Sequence, residues 1–182
     1  MNIFYLHPSP YTSACMQCDK HVVKMILETA QLLSTAHREI DGDDYADSSG
    51  LYKRTHKNHP SAVWVRQSHY HYLWTFEHFR GLLDEYTKRY GKTHASARLL
   101  VALSRCPRNI SVTPFVAPPQ CMPDAYKQSD TVRAYRAYYL ADKAYMAKWA
   151  YSTTPAWFSS ADPSDTTEHP GEPLNPFHYS FK

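Results

Sequence analysis

Apolar residues recur along much of this chain at alternating intervals of four and three, and that spacing commits it to helices rather than sheet. The clearest run is Tyr72, Phe76, Phe79, Leu83, Tyr86 and Tyr90. Pro60 is welcome in a first helical turn and Gly91 is a natural stop, so one helix is expected over 60–90. A first long helix is expected over 13–37, with Ser13 as its N-cap, and a shorter one over 93–105, ended by Pro107. A last helix is expected over 130–150, capped by Ser129 or Asp130, with Val132, Tyr135, Tyr139, Met146 and Trp149 on one side. Asn2 to Leu6 is a short apolar stretch, strand-like or simply packed, and Asp41 to Gly50 reads as an exposed loop. From Pro107 to Pro123 the prolines forbid a regular helix. The expected fold class is mainly α. It is a compact single-domain helical bundle over 1–158, with Pro-rich loops and an irregular, acidic, Pro-rich tail over 159–182, draped or mobile.

At 182 residues, 43% hydrophobic and 20% charged, the chain has the size and composition of one globular domain and excludes the disordered class. No apolar run approaches the roughly 18–20 residues that span a bilayer. Met1 to Thr12 lacks the basic and apolar regions of a signal peptide. The expected location is therefore the cytoplasm, the host cell's if the protein is viral, with Cys15, Cys18, Cys106 and Cys121 as reduced thiols. Net charge is +3 but unevenly placed: residues 51–150 hold 16 Lys and Arg against 6 Asp and Glu. A basic centre suits DNA or a small nucleotide as partner; the plainer reading is solvated charge on long helices. Aromatic residues reach 14%, with 15 Tyr. Such rings pack a core or stack on nucleobases, and Trp64, Tyr72 and Tyr90 are the candidate stacking residues.

On the first helix, Gln17, Lys20, His21, Lys24, Glu28, Gln31 and Thr35 fall within roughly a third of the circumference. Apolar residues cover most of the remainder, so the helix is expected to be buried nearly all round, with one narrow polar seam. His21, Lys24 and Glu28 supply a base, a cation and an acid at successive turns. Partly desolvated, they would move protons and hold a phosphate. As a plain solvent face, Lys24 and Glu28 would be a surface pair contributing only a few tenths of a kcal/mol.

Two more histidines, His56 and His59, stand just before the second helix, near Lys53, Arg54, Lys57 and Arg66. A helix N-terminus attracts anions, so this turn is a candidate phosphate pocket with one His as general acid or base. The alternative is that His59 caps the helix and His56 is exposed. His56 and His59 with His69, His71 or His94 match no recognised zinc spacing, and neither metal nor other cofactor is expected. The lone Cys15-x-x-Cys18 reads as packed thiols. Arg133, Arg136, Lys143 and Lys148 interleave with Tyr135, Tyr138, Tyr139 and Trp149 as a basic, ring-bearing face suited to a nucleic-acid backbone, or as a solvated one. The candidate site is thus Glu28, His21, His56 and His59 for catalysis, with Lys20, Lys24, Lys57, Arg66, Arg89, Arg133 and Arg136 for phosphates.

The segment Cys18-Asp-Lys-His-Val-Val-Lys-Met-Ile-Leu-Glu28 resembles the first-helix motif of phage pyrimidine-dimer DNA glycosylases of the endonuclease V type. In that family an Asp-x-His, here Asp19 and His21, is followed by the catalytic Glu, here Glu28. The stretch from Tyr72 to Lys88-Arg89-Tyr-Gly91 resembles the family's long second helix, and Lys148-Trp149 with Pro155-Ala-Trp-Phe158 its aromatic C-terminal stretch. The chain is also similar to uncharacterised phage proteins with an Asp-Lys-His-Val-Val-Lys first helix. The resemblance implies a small helical fold and base excision with strand cleavage, in which the α-amine of the processed N-terminus attacks the sugar C1′ to form an imine. An α-amine suits this because such groups titrate at about 7.7–8.0 and keep a useful neutral fraction. It further implies Glu28 as the catalytic carboxylate, His21 as a DNA-contacting or orienting group, and Lys24, Arg66 and Arg89 as phosphate holders. The family's nucleophile is a small residue uncovered by removal of Met1, whereas residue 2 here is Asn, before which Met is usually retained.

The expected function is therefore a DNA N-glycosylase/AP-lyase-like enzyme acting on damaged pyrimidines. One alternative is a phage counter-defence enzyme that cleaves or sequesters a cyclic nucleotide immune signal by metal-independent His chemistry. A second is a non-catalytic DNA- or protein-binding module.

Overall fold

The computed structural model describes residues 1–166, and helices are the regular structure found among them. In chain order these are α1 (Pro10–Cys15), α2 (Asp19–Ile40), α3 (Asp44–Ser48), α4 (Pro60–Gln67), α5 (His69–Tyr90), α6 (Leu100–Leu103), α7 (Thr131–Tyr138) and α8 (Ala156–Ser159). Helix α5 is the spine: α1 and α2 pack along it, and α4 bridges α2 and α5. Its Tyr72, Phe76, Phe79 and Leu83 are buried, as their spacing requires, and Gly91 ends it in the left-handed conformation at φ +63°. Among the described residues no helix is long and apolar enough to cross a membrane. Of the tail, residues 159–166 are described; the expectation for 167–182 lies outside the described residues.

The expected first helix is two. Ser9, not Ser13, caps α1, its Oγ accepting from Thr12 N. Ser13 lies inside that helix, where its Oγ accepts from Leu6 N (3.0 Å) and donates to Phe4 O (3.2 Å). It thereby satisfies the backbone of Ile3–Leu6, a buried stretch that forms neither helix nor strand. Helix α2 then restarts at Asp19, whose N–H bonds to Lys148 O at 2.8 Å. Close packing of α1 on α5 depends on Gly81, where a Cβ would lie 2.9 Å from Ala14 Cβ.

The expected 60–90 helix is also broken, at Ser68, whose backbone is extended (φ −148°, ψ 143°). Its Oγ caps α5 at Tyr70 N and donates to Thr113 O at 2.6 Å, so a loop residue from far along the chain helps hold the kink. Residues 41–50 are not simply loop: buried Arg38 donates to Asp43 (2.7 Å) and Asp47 (2.8 Å) and holds α3 beneath it. The 93–105 segment is a 3-10 turn, Ala95–Leu99, followed by α6. The last long helix is only α7, capped by Asp130 as expected, and continued by one π turn, Tyr139–Lys143.

Candidate functional site

Helix α2 presents its seam differently from a narrow polar strip between buried flanks. Gln17, just ahead of it, and His21 and Thr35 within it are buried, while Lys20 and Lys24 are exposed, and Val23 and Leu27 beside them are each 40% exposed. The open face is thus mixed, two lysines around two apolar side chains. His21 stacks on Phe4 with ring centroids 4.2 Å apart, and its Nδ1 meets the Tyr139 hydroxyl at 2.6 Å. That hydroxyl also accepts from Cys18 N at 3.1 Å. Burial, reinforced by Lys143 and Lys24, pushes the His21 pKa down to about 3. The π turn brings Tyr139 to this position. His21 is a neutral, fixed element at the base of α2 and not a general base within a cleft.

Glu28, two turns further along, is only half buried and meets the N-terminus. Its Oε2 lies 3.2 Å from Asn2 N and 3.8 Å from the Met1 α-ammonium, and its Oε1 lies 3.4 Å from Lys24 Nζ. Asn2 anchors this end of the chain: its Oδ1 accepts from Ile3 N (2.8 Å) and Phe4 N (3.3 Å), and its Nδ2 donates to Cys121 O (2.9 Å). His59 caps α4, its Nδ1 accepting from Ser61 N at 3.2 Å, which leaves Nε2 to carry the proton of the neutral ring. Its pKa is lowered by burial first, then by the N-terminal ammonium and His56, against the opposing pull of Glu28. A cavity of about 660 Å³ opens beside this group, lined among others by His59, Cys121, Met122, Lys127 and Tyr138.

The structure therefore brings Glu28, Lys24, His59 and the N-terminus together. Asn2, Cys121 and Tyr138 were not legible as members, because Asn2 meets Cys121 across 119 positions and no local pattern reports such a contact. His56 is exposed at φ +47°, its Nδ1 hydrogen-bonded with the neighbouring Thr55 hydroxyl at 2.6 Å, and does not join them. Lys57 pairs with Glu39 (3.7 Å), and half-buried Arg66 donates to Lys57 O. Arg133 is exposed on a separate cavity of about 280 Å³ with His7, Asp130 and Ser164.

Four expected ligand contacts are instead spent inside the fold. Arg89 is buried, bonding Glu85 (2.8 Å), Asp19 (3.1 Å) and the carbonyls of Gln17 and Cys15 (2.8 Å each). Arg136 is buried over the Trp157 ring, donating to Leu6 O (2.9 Å) and Asp165 O (2.7 Å). Trp64, 3% exposed, stacks on His71, and Tyr72, fully buried, donates to Leu103 O and accepts from His37. Rings placed this way are enclosed by protein, and each guanidinium spends most of its N–H groups on protein acceptors, although Arg136 also borders the 280 Å³ cavity. Tyr90 is half-buried between Tyr86 and Tyr151 and donates to Asp19 O. All four cysteines are free thiols, and burial with the nearby Glu85 pushes Cys15 up to about 12, away from nucleophilic use.

A family model described as pyrimidine dimer DNA glycosylase matches residues 1–99, the span that holds α1 to α5 with His21, Lys24, Glu28 and His59. No curated protein and no solved structure matches the chain. The loop around Cys121 and helix α7, which complete the cavity wall, lie beyond the matched span.

Proposed function

Because the chain belongs to the pyrimidine dimer DNA glycosylase family, we propose that it excises damaged pyrimidines from DNA and opens the strand through an imine formed at its N-terminal amine. The carrying observation is the 3.8 Å separation between the Met1 α-ammonium and Glu28 Oε2. In its neutral form the amine attacks the sugar C1′. The glycosidic bond breaks with its electron pair leaving on the base, which takes up one proton. The second amine proton passes by way of Glu28 to O4′ as the C1′–O4′ bond opens, leaving the imine that makes strand cleavage possible.

The neighbours support each part of this chemistry. A carboxylate with one oxygen toward the amine and the other toward exposed Lys24 is placed to relay a proton while Lys24 holds a phosphate. His59 lines the cavity and carries its ring proton on Nε2, suited to the departing base.

The test is borohydride trapping on duplex DNA that carries a pyrimidine dimer or an abasic site. The parent protein is expected to form a covalent adduct, and Glu28→Gln to reduce its rate by about 10²–10⁴-fold while remaining folded. An absence of adduct on both substrates, from a protein that binds the DNA, overturns the proposal.

A further inference from the structure

Three arginines are buried among the described residues, and one of them lacks a bonded counter-charge. Arg38, 3% exposed, bonds the carboxylates of Asp43 and Asp47, and Arg89, 5% exposed, bonds those of Glu85 and Asp19. Arg136 is equally buried at 4%. Its Nε donates to Leu6 O (2.9 Å), its Nη1 to Asp165 O (2.7 Å) and Pro163 O (3.5 Å), and its Nη2 to Met16 Sδ (3.8 Å). These acceptors are carbonyls and a thioether, none of them charged. A buried cation ordinarily has an anion against it, because neutral acceptors return only part of the hydration that burial removes. Burial accordingly pulls its pKa down, and the carboxylates of Asp130 and Asp165 oppose this only through space. Arg136 and Met16 both line the cavity of about 280 Å³, so Nη2, with only a sulfur to bond, is the end of the guanidinium left for a ligand.

We propose that this cavity is a binding site for a phosphate-type oxyanion, held between Arg136 Nη2 and the guanidinium of Arg133. Arg133 precedes Arg136 by one turn on the same side of α7, lines the same cavity and is exposed. Its backbone N–H is taken by the Asp130 cap (3.0 Å), while its guanidinium has no hydrogen-bond partner among the described residues. The facing wall is already built. Arg136 clamps it through Asp165 O, and Ser164 donates to Asp162 Oδ1 from both its N (2.8 Å) and its Oγ (2.7 Å). Size selects the ligand: about 280 Å³ equals about nine molecules of liquid water, and falls just under the roughly 300–1,000 Å³ of pockets for larger organic ligands. That is room for a phosphate group and its waters, not for a whole nucleotide. Asp130 brings a carboxylate to the lining, which two guanidinium groups outweigh but which weakens the hold on any anion. Arg133, Arg136 and the 163–164 wall all lie beyond residues 1–99, and α7 separates them from the cavity that Tyr138 lines, so the site is independent of the lyase reading.

The experiment is thermal unfolding and calorimetric titration of the full chain with inorganic phosphate, against sodium chloride at equal ionic strength. One equivalent of phosphate is expected to bind, and at twenty times its Kd to raise Tm by about 4–7 °C. Arg133→Ala should weaken phosphate about tenfold without lowering the Tm of the free protein. Asp130→Asn keeps the cap of α7 but removes the opposing charge, and should tighten phosphate by about threefold. Arg136→Lys keeps the charge but not the fork, and should weaken phosphate about tenfold. If that variant fails to fold, the other two still decide the matter. No effect beyond that of chloride overturns the proposal, and so does phosphate binding that Arg133→Ala and Asp130→Asn leave unchanged. Repeating the titration with saturating undamaged duplex DNA separates the sources of the phosphate group. Loss of phosphate binding supports the site as a seat for a backbone phosphate of DNA, and undiminished binding supports it as a seat for free phosphate.

Discussion

Replacing Arg89 by Met distinguishes a phosphate-binding guanidinium from a structural one. The Arg89 side chain is fully buried and Glu85 beside it is 3% exposed, joined at 2.8 Å. The same guanidinium donates to Asp19 and to the carbonyls of Cys15 and Gln17, where α1 gives way to α2. Met approximates the volume but supplies no donor, so Glu85 becomes a buried carboxylate lacking its main partner. Breaking a buried pair this way costs about 3–5 kcal/mol, and the two orphaned carbonyls add to it. Lys88, exposed and 3.3 Å from Glu85 Oε1, offsets part of that loss. For a chain of this size, a loss of about 4 kcal/mol lowers Tm by about 8–16 °C. Urea unfolding with two probes would measure it, and Arg89→Met/Glu85→Gln should regain about half because only the Asp19 charge is then left without its partner. A phosphate role predicts the reverse, an unchanged Tm and a salt slope of DNA binding reduced by about 1. Stability within about 1 kcal/mol of the parent would refute the buried-network account.

Three more outcomes follow from the same structure. His21 and His78 are held by burial at about 3 and about 4, against 6.5 when unfolded, so the unfolded chain binds protons that the fold refuses. Stability should fall as pH drops below 6.5, these two histidines contributing a slope of about 2.7 kcal/mol per pH unit near pH 5, and His21→Gln should lower the measured slope by about 1.4 kcal/mol per pH unit in urea titrations. Gly81→Ala places a Cβ 2.9 Å from Ala14 Cβ and 3.2 Å from the Tyr11 Cα, contacts that only a shift of α1 relieves, and should cost about 1–3 kcal/mol by thermal unfolding. Lys24→Ala should weaken DNA binding evenly across sequences and reduce the salt slope by about 0.9, leaving Tm unchanged because its side chain is 71% exposed.

The candidate site was half legible. Glu28 and Lys24 stood out because one helix carries them an (i, i+4) step apart, a relation that spacing alone reports. His59 stood out as the residue before Pro60, and its capping bond to Ser61 N is the local reading realised. His21 was taken from the same seam as Glu28 and lies two turns away on nearly the same face, yet at its end of α2 the Phe4 and Tyr139 rings cover it. Arg89 and Tyr72 misled for one reason: a polar tip on a long or aromatic stem reads as a surface ligand, and only packing reveals that backbone carbonyls claim it.

What the sequence determined unaided is what depends on neighbours a few positions apart: the helical class, the caps at Asp130 and Gly91, and the apolar seam of α5. What the tertiary structure decided depends on groups far apart in the chain. Lys148 O restarts α2, Thr113 O helps hold the break before α5, and Cys121 O anchors Asn2 so that the terminal amine meets Glu28. Each of these is a backbone carbonyl, which every residue type presents alike, so no side-chain pattern could announce it.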